Sequence, residues 1–147
     1  MPLFLGKDGK QRAVEANAGI PRTPPALWFG LLDTLPSGAE SMTLAALVAG
    51  GTGEPATTGA WYAGGRKTIS FGSYSPTTLI CTSNNGTNQW LNTSGVTKYV
   101  GGLFICTVFS GGSGELLWVG YPDIGRFPVY DNRGVGWGDG LVDLKVV

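Results

Sequence analysis

The chain contains no histidine. That absence removes the commonest general base and the commonest metal ligand. It also excludes a Ser-His-Asp triad or a Cys-His dyad built from these residues alone. Charge is scarce too: Asp, Glu, Lys and Arg make up 14% of the chain, against about 25% in an ordinary globular domain. The ten basic and ten acidic side chains cancel. No basic excess points to nucleic acid, whose phosphates demand one, whereas a neutral, charge-poor surface favours association. Cysteine is limited to Cys81 and Cys106, each inside an apolar run, LICT and FICTV. They read as free buried thiols, with a disulfide as the alternative. No apolar run reaches the ~18 residues of a membrane span, and the opening MPLFLGKDGKQ is too short in apolar residues for a secretory signal. The expected setting is therefore a reducing cytosol, where the acceptor patterns at Asn85 and Asn92 carry no meaning as glycosylation sites.

Glycine is what the chain has in quantity, 25 of 147 residues, and it punctuates short apolar runs. Residues 26–35 (ALWFGLLDTL) are apolar on both faces and predict a buried strand, closed by the turn Pro36-Ser37-Gly38. Residues 41–49 fit either a short helix capped by Ser41 or a strand. Residues 66–71 alternate, with Lys67, Ile69 and Phe71 on one face and Arg66, Thr68 and Ser70 on the other. Residues 77–82 predict a further strand. Asn85-Gly86 predicts a hairpin that would pair residues 89–91 back onto it. Residues 96–100, 103–109, 115–121, 127–130 and 141–147 complete the set, with LFICTVF in a central position. About eight strands at this spacing predict an all-β fold, an antiparallel β-sandwich or jelly-roll-like barrel.

Candidate chemistry is sparse. The runs GGTG (50–53) and GGSG (111–114) lack the Lys-Ser/Thr and helix of a phosphate loop and read as hairpin turns. Asp131, Asp139 and Asp143 lie near one another in sequence, yet beside Gly or Asn in turn-like surroundings. They read as solvated turn acids rather than a glycosidase pair, which needs two carboxyls about 5–10 Å apart in a cleft. No cofactor and no metal site is predicted. Trp28 and Trp118 fit a core. Trp61, Tyr62, Trp90 and Trp137 sit among Gly, Asn and Thr and are the candidates for exposed aromatic contacts, to a protein partner or to a glycan.

The first 25 residues differ from the rest. Lys7, Lys10, Arg12 and Arg22 outnumber Asp8 and Glu15, and the stretch ends in Ile20-Pro21-Arg22-Thr23-Pro24-Pro25, which suits neither a helix nor a central strand. An extended N-terminal arm over 1–25, ahead of a β domain over 26–147, is one reading; a functionless tail is the other. Leu3, Phe4, Leu5, Val14 and Ile20 are more apolar than a free tail requires. With Arg12 and Arg22 they are the candidate partner-binding residues of a docked arm.

Four segments together resemble a family of small β-sandwich virion proteins of tailed bacteriophages: ALWFGLLDTLPSG, GTGEPATTGAWYAGGRKTISF, SGGSGELLWVGY and GWGDGLVDLKVV. The likeness covers about residues 26–147 and rests on turns and strand edges. It departs from the family pattern in the longer SMTLAALVA segment and in Gly64-Gly65 before Arg66. It implies a non-enzymatic structural protein, a capsid decoration (cement) protein that clamps neighbouring capsid subunits, with collar, tail or fibre component as an alternative. It implies the major capsid protein or other virion proteins as partners, a homo-oligomer with a trimer favoured, synthesis in the host cytoplasm and residence in the virion. A carbohydrate-binding module using the exposed aromatics is the alternative of a different class.

Overall fold

The computed structural model describes residues 3–49, 53–57, 59–72, 81–82, 88–137 and 143–144. Strands paired in antiparallel sheets dominate, with few helices. The chief sheet has five strands in the order β1 (Leu3–Leu5), β8 (Leu116–Gly120), β7 (Gly102–Cys106), β2 (Trp28–Leu32) and β3 (Lys67–Thr68). Three two-stranded pairs accompany it. These are β5 (Asn88–Asn92) with β10 (Arg133–Trp137), β4 (Cys81–Thr82) with β11 (Asp143–Leu144), and β6 (Lys98–Val100) with β9 (Phe127–Val129).

The apolar runs without alternation become the middle of the sheet because both of their faces are covered. In β2 and β7, Phe29, Leu31, Leu103 and Ile105 point into one cluster, with Trp90, Val100 and Val129. Leu32, Phe104 and Cys106 point into a second cluster, against Leu44 and Leu47. Those two leucines belong to α2 (Leu44–Val48), so the ambiguous segment 41–49 is helical. Its cap is Thr43 rather than Ser41: the Thr43 hydroxyl accepts from Ala46 N at 3.2 Å, while Ser41 ends a preceding 3-10 turn. Gly30 leaves room for the ring of its cross-strand partner, since a Cβ there would lie 2.3 Å from the Phe104 ring.

Three expectations are corrected. First, the N-terminal segment is not an extended arm. Leu3–Leu5 is an edge strand of the five-stranded sheet, in register with Gly120, Val119 and Trp118, and Lys7–Asn17 is a helix, α1. Among the described residues of this segment, Gly6 and 18–27 lie outside strand and helix. The prolines govern that stretch alone, and α1 forms from the residues ahead of them. Second, residues 88–92 do not pair back onto 81–82. They pair with β10, a Gly-rich strand that period-2 patterning does not reveal, while 81–82 pairs with 143–144. The turn between them, 83–87, lies outside the described residues, as do most of 77–82 and 141–147. Third, the 66–71 strand shrinks to Lys67–Thr68, and Arg66, expected on the polar face, is buried. Eleven strands occur among the described residues, rather than about eight. No helix among them is long and apolar enough to cross a membrane.

Candidate functional site

Arg66 is the most conspicuous buried side chain, at 1% exposure. Its guanidinium meets the Glu54 carboxylate fork to fork, Nε to Oε1 at 2.9 Å and Nη2 to Oε2 at 2.7 Å. The remaining hydrogens go to backbone: Nη1 donates to the Val108 carbonyl at 2.8 Å and Nη2 to that of Gly111 at 2.7 Å. Nη1 also lies 3.4 Å from the Cys106 sulfur, and the guanidinium stands 5.1 Å from the centre of the Phe104 ring. This is how a buried cation is tolerated, paired and with its donors used. The chain achieves it by bringing three separate stretches together, 53–57, 61–66 and the turn after β7.

Tyr62 joins the same group. Its hydroxyl donates to Glu54 Oε1 at 2.7 Å and accepts from Leu31 N at 3.3 Å. Burial, and then the charge of Glu54, raises its pKa far above the usual phenol value, so it remains a donor. The Tyr62 backbone has φ 63°, a region that bulky residues enter only when their surroundings impose it. Here the imposing contacts are the Glu54 bond and stacking on Trp90, centroids 5.2 Å apart at 23°. Trp90 is fixed in turn by its Nε1–H, which donates to the Gly65 carbonyl at 2.6 Å. Burial likewise pushes the Cys106 thiol up, although the nearby Val108 carbonyl contact and Arg66 act in the opposite sense. Cys106 is a free thiol, while the side chain of Cys81 lies outside the described residues.

Above this network is an open cleft of about 420 Å³, lined by Asp33, Glu54, Ala56, Trp61, Ser94 and Lys98 among others. Asp33 is engaged at its rim by Arg126, 2.8 Å away, whose guanidinium stacks over Tyr99 at 4.0 Å. Asn92 is buried nearby, and its amide nitrogen donates to the carbonyls of Val96 and Val129, both at 2.8 Å. Both amide hydrogens are therefore committed, and a glycan on Asn92 is incompatible with the fold; Asn85 lies outside the described residues. Asp131 Oδ1 accepts from Gly95 N at 2.9 Å and so ties together two loops distant in sequence. No group of three or more Cys, Asp or Glu side chains able to hold a metal occurs among the described residues.

The structure separates the sequence candidates into two places. Trp61, Tyr62 and Trp90, expected as exposed contacts, are at 6%, 0% and 2% exposure. That corrects the expectation: small neighbours such as Gly59, Gly64 and Gly65 let the rings pack inward. Trp137 lies at the end of β10 opposite Asn88, and its side chain is outside the described residues. Of the N-terminal candidates, Leu3 is core, Leu5 half-buried, and Phe4 is 44% exposed with its ring 6.0 Å from Tyr121. Arg12 and Arg22 converge on Glu115, Arg12 Nε at 2.8 Å and Arg22 Nη1 at 2.9 Å, and Arg22 also pairs with Glu15. Val14 and Ile20 stay in solvent, 68% and 53% exposed. Sequence reasoning missed Glu54 and Arg66, although GTGEP and GGR bracket both; nothing local marks a charge that will be buried by distant loops. No family model, curated protein or solved structure matches the chain.

Proposed function

We propose that this chain is a non-enzymatic structural protein of a tailed-phage virion, a head decoration protein that clamps neighbouring capsid subunits as a homo-oligomer. The observation that carries the reading is the open edge of the five-stranded sheet. There β1 is the outermost strand, with one side of its backbone unpaired among the described residues, and the exposed Phe4 and Tyr121 rings stand together beside it. Edges of this kind bind partners by strand addition, and side-chain contacts select among them. The low charge and zero net charge support an associating surface. The motif likeness in 26–147 supports a place among virion proteins. Within this reading the five-stranded sheet and the shorter pairs enclose the core as a sandwich.

The most elaborate polar cluster serves architecture. Glu54, Tyr62 and Arg66 spend their hydrogen bonds on each other and on backbone, which leaves little of them for a substrate. Burial of Trp61, Tyr62 and Trp90 takes away three of the four rings offered for the carbohydrate-binding alternative, and the side chain of the fourth, Trp137, lies outside the described residues. Mass spectrometry of purified particles tests the reading. The chain is expected among the virion proteins of the phage that encodes it, and its absence from intact particles would sink the proposal.

A further inference from the structure

We propose that residues 3–22 are an exchangeable unit, which seats on the β8 edge of a second copy of this chain. The unit is self-contained. Beyond α1 the chain turns back through Gly19, and Ile20 N donates to the Glu15 carbonyl at 2.9 Å. Arg22 pairs with Glu15 of the same unit. Among the described residues, the hydrogen bonds and ion pairs that tie the unit to the body end on one short stretch, 115–120. The β1 ladder runs along Gly120, Val119 and Trp118. Gly6 N donates to Leu117 O at 2.8 Å, and Leu116 N donates to Asp8 Oδ2 at 2.8 Å. Arg12 and Arg22 both reach Glu115. Leu3 adds a core contact and Phe4 its ring contact with Tyr121. A neighbouring copy offers the same stretch, so every one of these contacts can form between chains unchanged.

The connection favours the exchange. Leu27 is anchored, its carbonyl accepting from Ile69 N at 3.1 Å. Residues 23–26 between the unit and that anchor are exposed except Pro25, which is half-buried. Pro24 and Pro25 fix φ, lack N–H groups and hold the preceding residues extended. This hinge can reach about 13 Å when extended and is stiff against reversal. The ion pair that closes the seat is partly open to water, Arg22 at 35% and Glu115 at 31%, and so adds little that distinguishes one seating from the other. Intrachain and interchain seating thus differ only in the hinge and in the entropy of association. The zero net charge offers no general repulsion between copies. The inference concerns the chain itself and stands whether or not it resides in a virion.

Cross-linking of the full chain tests it. Phe4 and Val119 are Cα partners in the β1–β8 ladder, and antiparallel partners lie about 4.5–5.5 Å apart, within disulfide reach. The variant Phe4→Cys with Val119→Cys is oxidised over a range of protein concentrations. Its mass in solution is measured by light scattering, and its chains are separated on a non-reducing denaturing gel, with the unsubstituted chain as the background for native cysteines. The expected result is an oligomer whose chains are joined by reducible bonds. A monomer at every concentration overturns the proposal, and so does an oligomer whose new disulfides all lie within single chains. The pair Leu5→Cys with Trp118→Cys repeats the measurement one register position away. Failure of both pairs to bridge at all removes the shared ladder and with it the proposal.

Discussion

Arg66 carries a full charge out of reach of water, and its surroundings decide what it contributes. The Glu54 fork, the two carbonyls and the Phe104 ring replace the water it lost. Such a pair adds little net stability over apolar residues of the same size, but breaking it leaves a buried charge alone. Arg66→Ala is expected to cost about 3–5 kcal/mol, measured by urea denaturation. Glu54→Gln combined with Arg66→Met is expected to recover much of that loss. A cost below about 1 kcal/mol for the single change would place the pair in the class of surface salt bridges instead. Tyr62 adds a pH dependence. Its pKa in the fold is raised, so on heading alkaline the unfolded chain gives up that proton first, near the ordinary value of about 10. The neutral hydroxyl therefore supports the fold fully below that pH, and the support drains away above it. Tyr62→Phe is expected to flatten the alkaline limb of the stability curve. An unchanged alkaline slope contradicts the buried, carboxylate-bound hydroxyl.

At the scale of elements, α1 lies so close to β8 that position 9, in its first turn, has room only for glycine. A Cβ on Gly9 would meet the Leu117 carbonyl oxygen at 2.1 Å, and backbone cannot swing aside as a side chain can. Gly9→Ala, which on propensity alone should strengthen a helix, is expected to loosen β1–α1 and leave the β2–β7 pairing intact. Hydrogen exchange checks this through faster exchange at Leu5 and Gly6 and unchanged protection across 102–106. Slower exchange at Gly6 would show that propensity outweighs the contact. The same contrast explains what was legible in the sequence. β2, β7 and β8 were readable because two-sided burial writes itself as unbroken apolar runs. The β1–α1 unit was not, because Lys7, Asp8, Lys10, Gln11 and Arg12 look like a solvated tail until Glu115 takes Arg12 and the Leu116 amide takes Asp8. β10 was hidden for another reason: glycines at 134 and 136 erase the alternation that marks a strand.

At the scale of the whole molecule, the all-β class followed from composition and spacing, whereas the pairing did not. Strand order depends on contacts between stretches such as 88–92 and 133–137, which no local pattern encodes. The site candidates divided on the same line. Aromatics flanked by glycine read as exposed, yet Trp61, Tyr62 and Trp90 went inward, since small neighbours allow rings to pack as readily as they leave them bare. Arg12 and Arg22 were picked for a partner and found one within the chain, at Glu115. What remains at the surface is an open sheet edge with an aromatic pair beside it, on a chain of zero net charge. In the role proposed above, that edge would belong to a part repeated many times over a large assembly. The copy number of this chain in purified particles, quantified by mass spectrometry against the major capsid protein, is the most direct test. Abundance near stoichiometric with the capsid protein is the result predicted for a decoration protein; a handful of copies per particle would contradict it and move the chain to the collar, tail or a fibre.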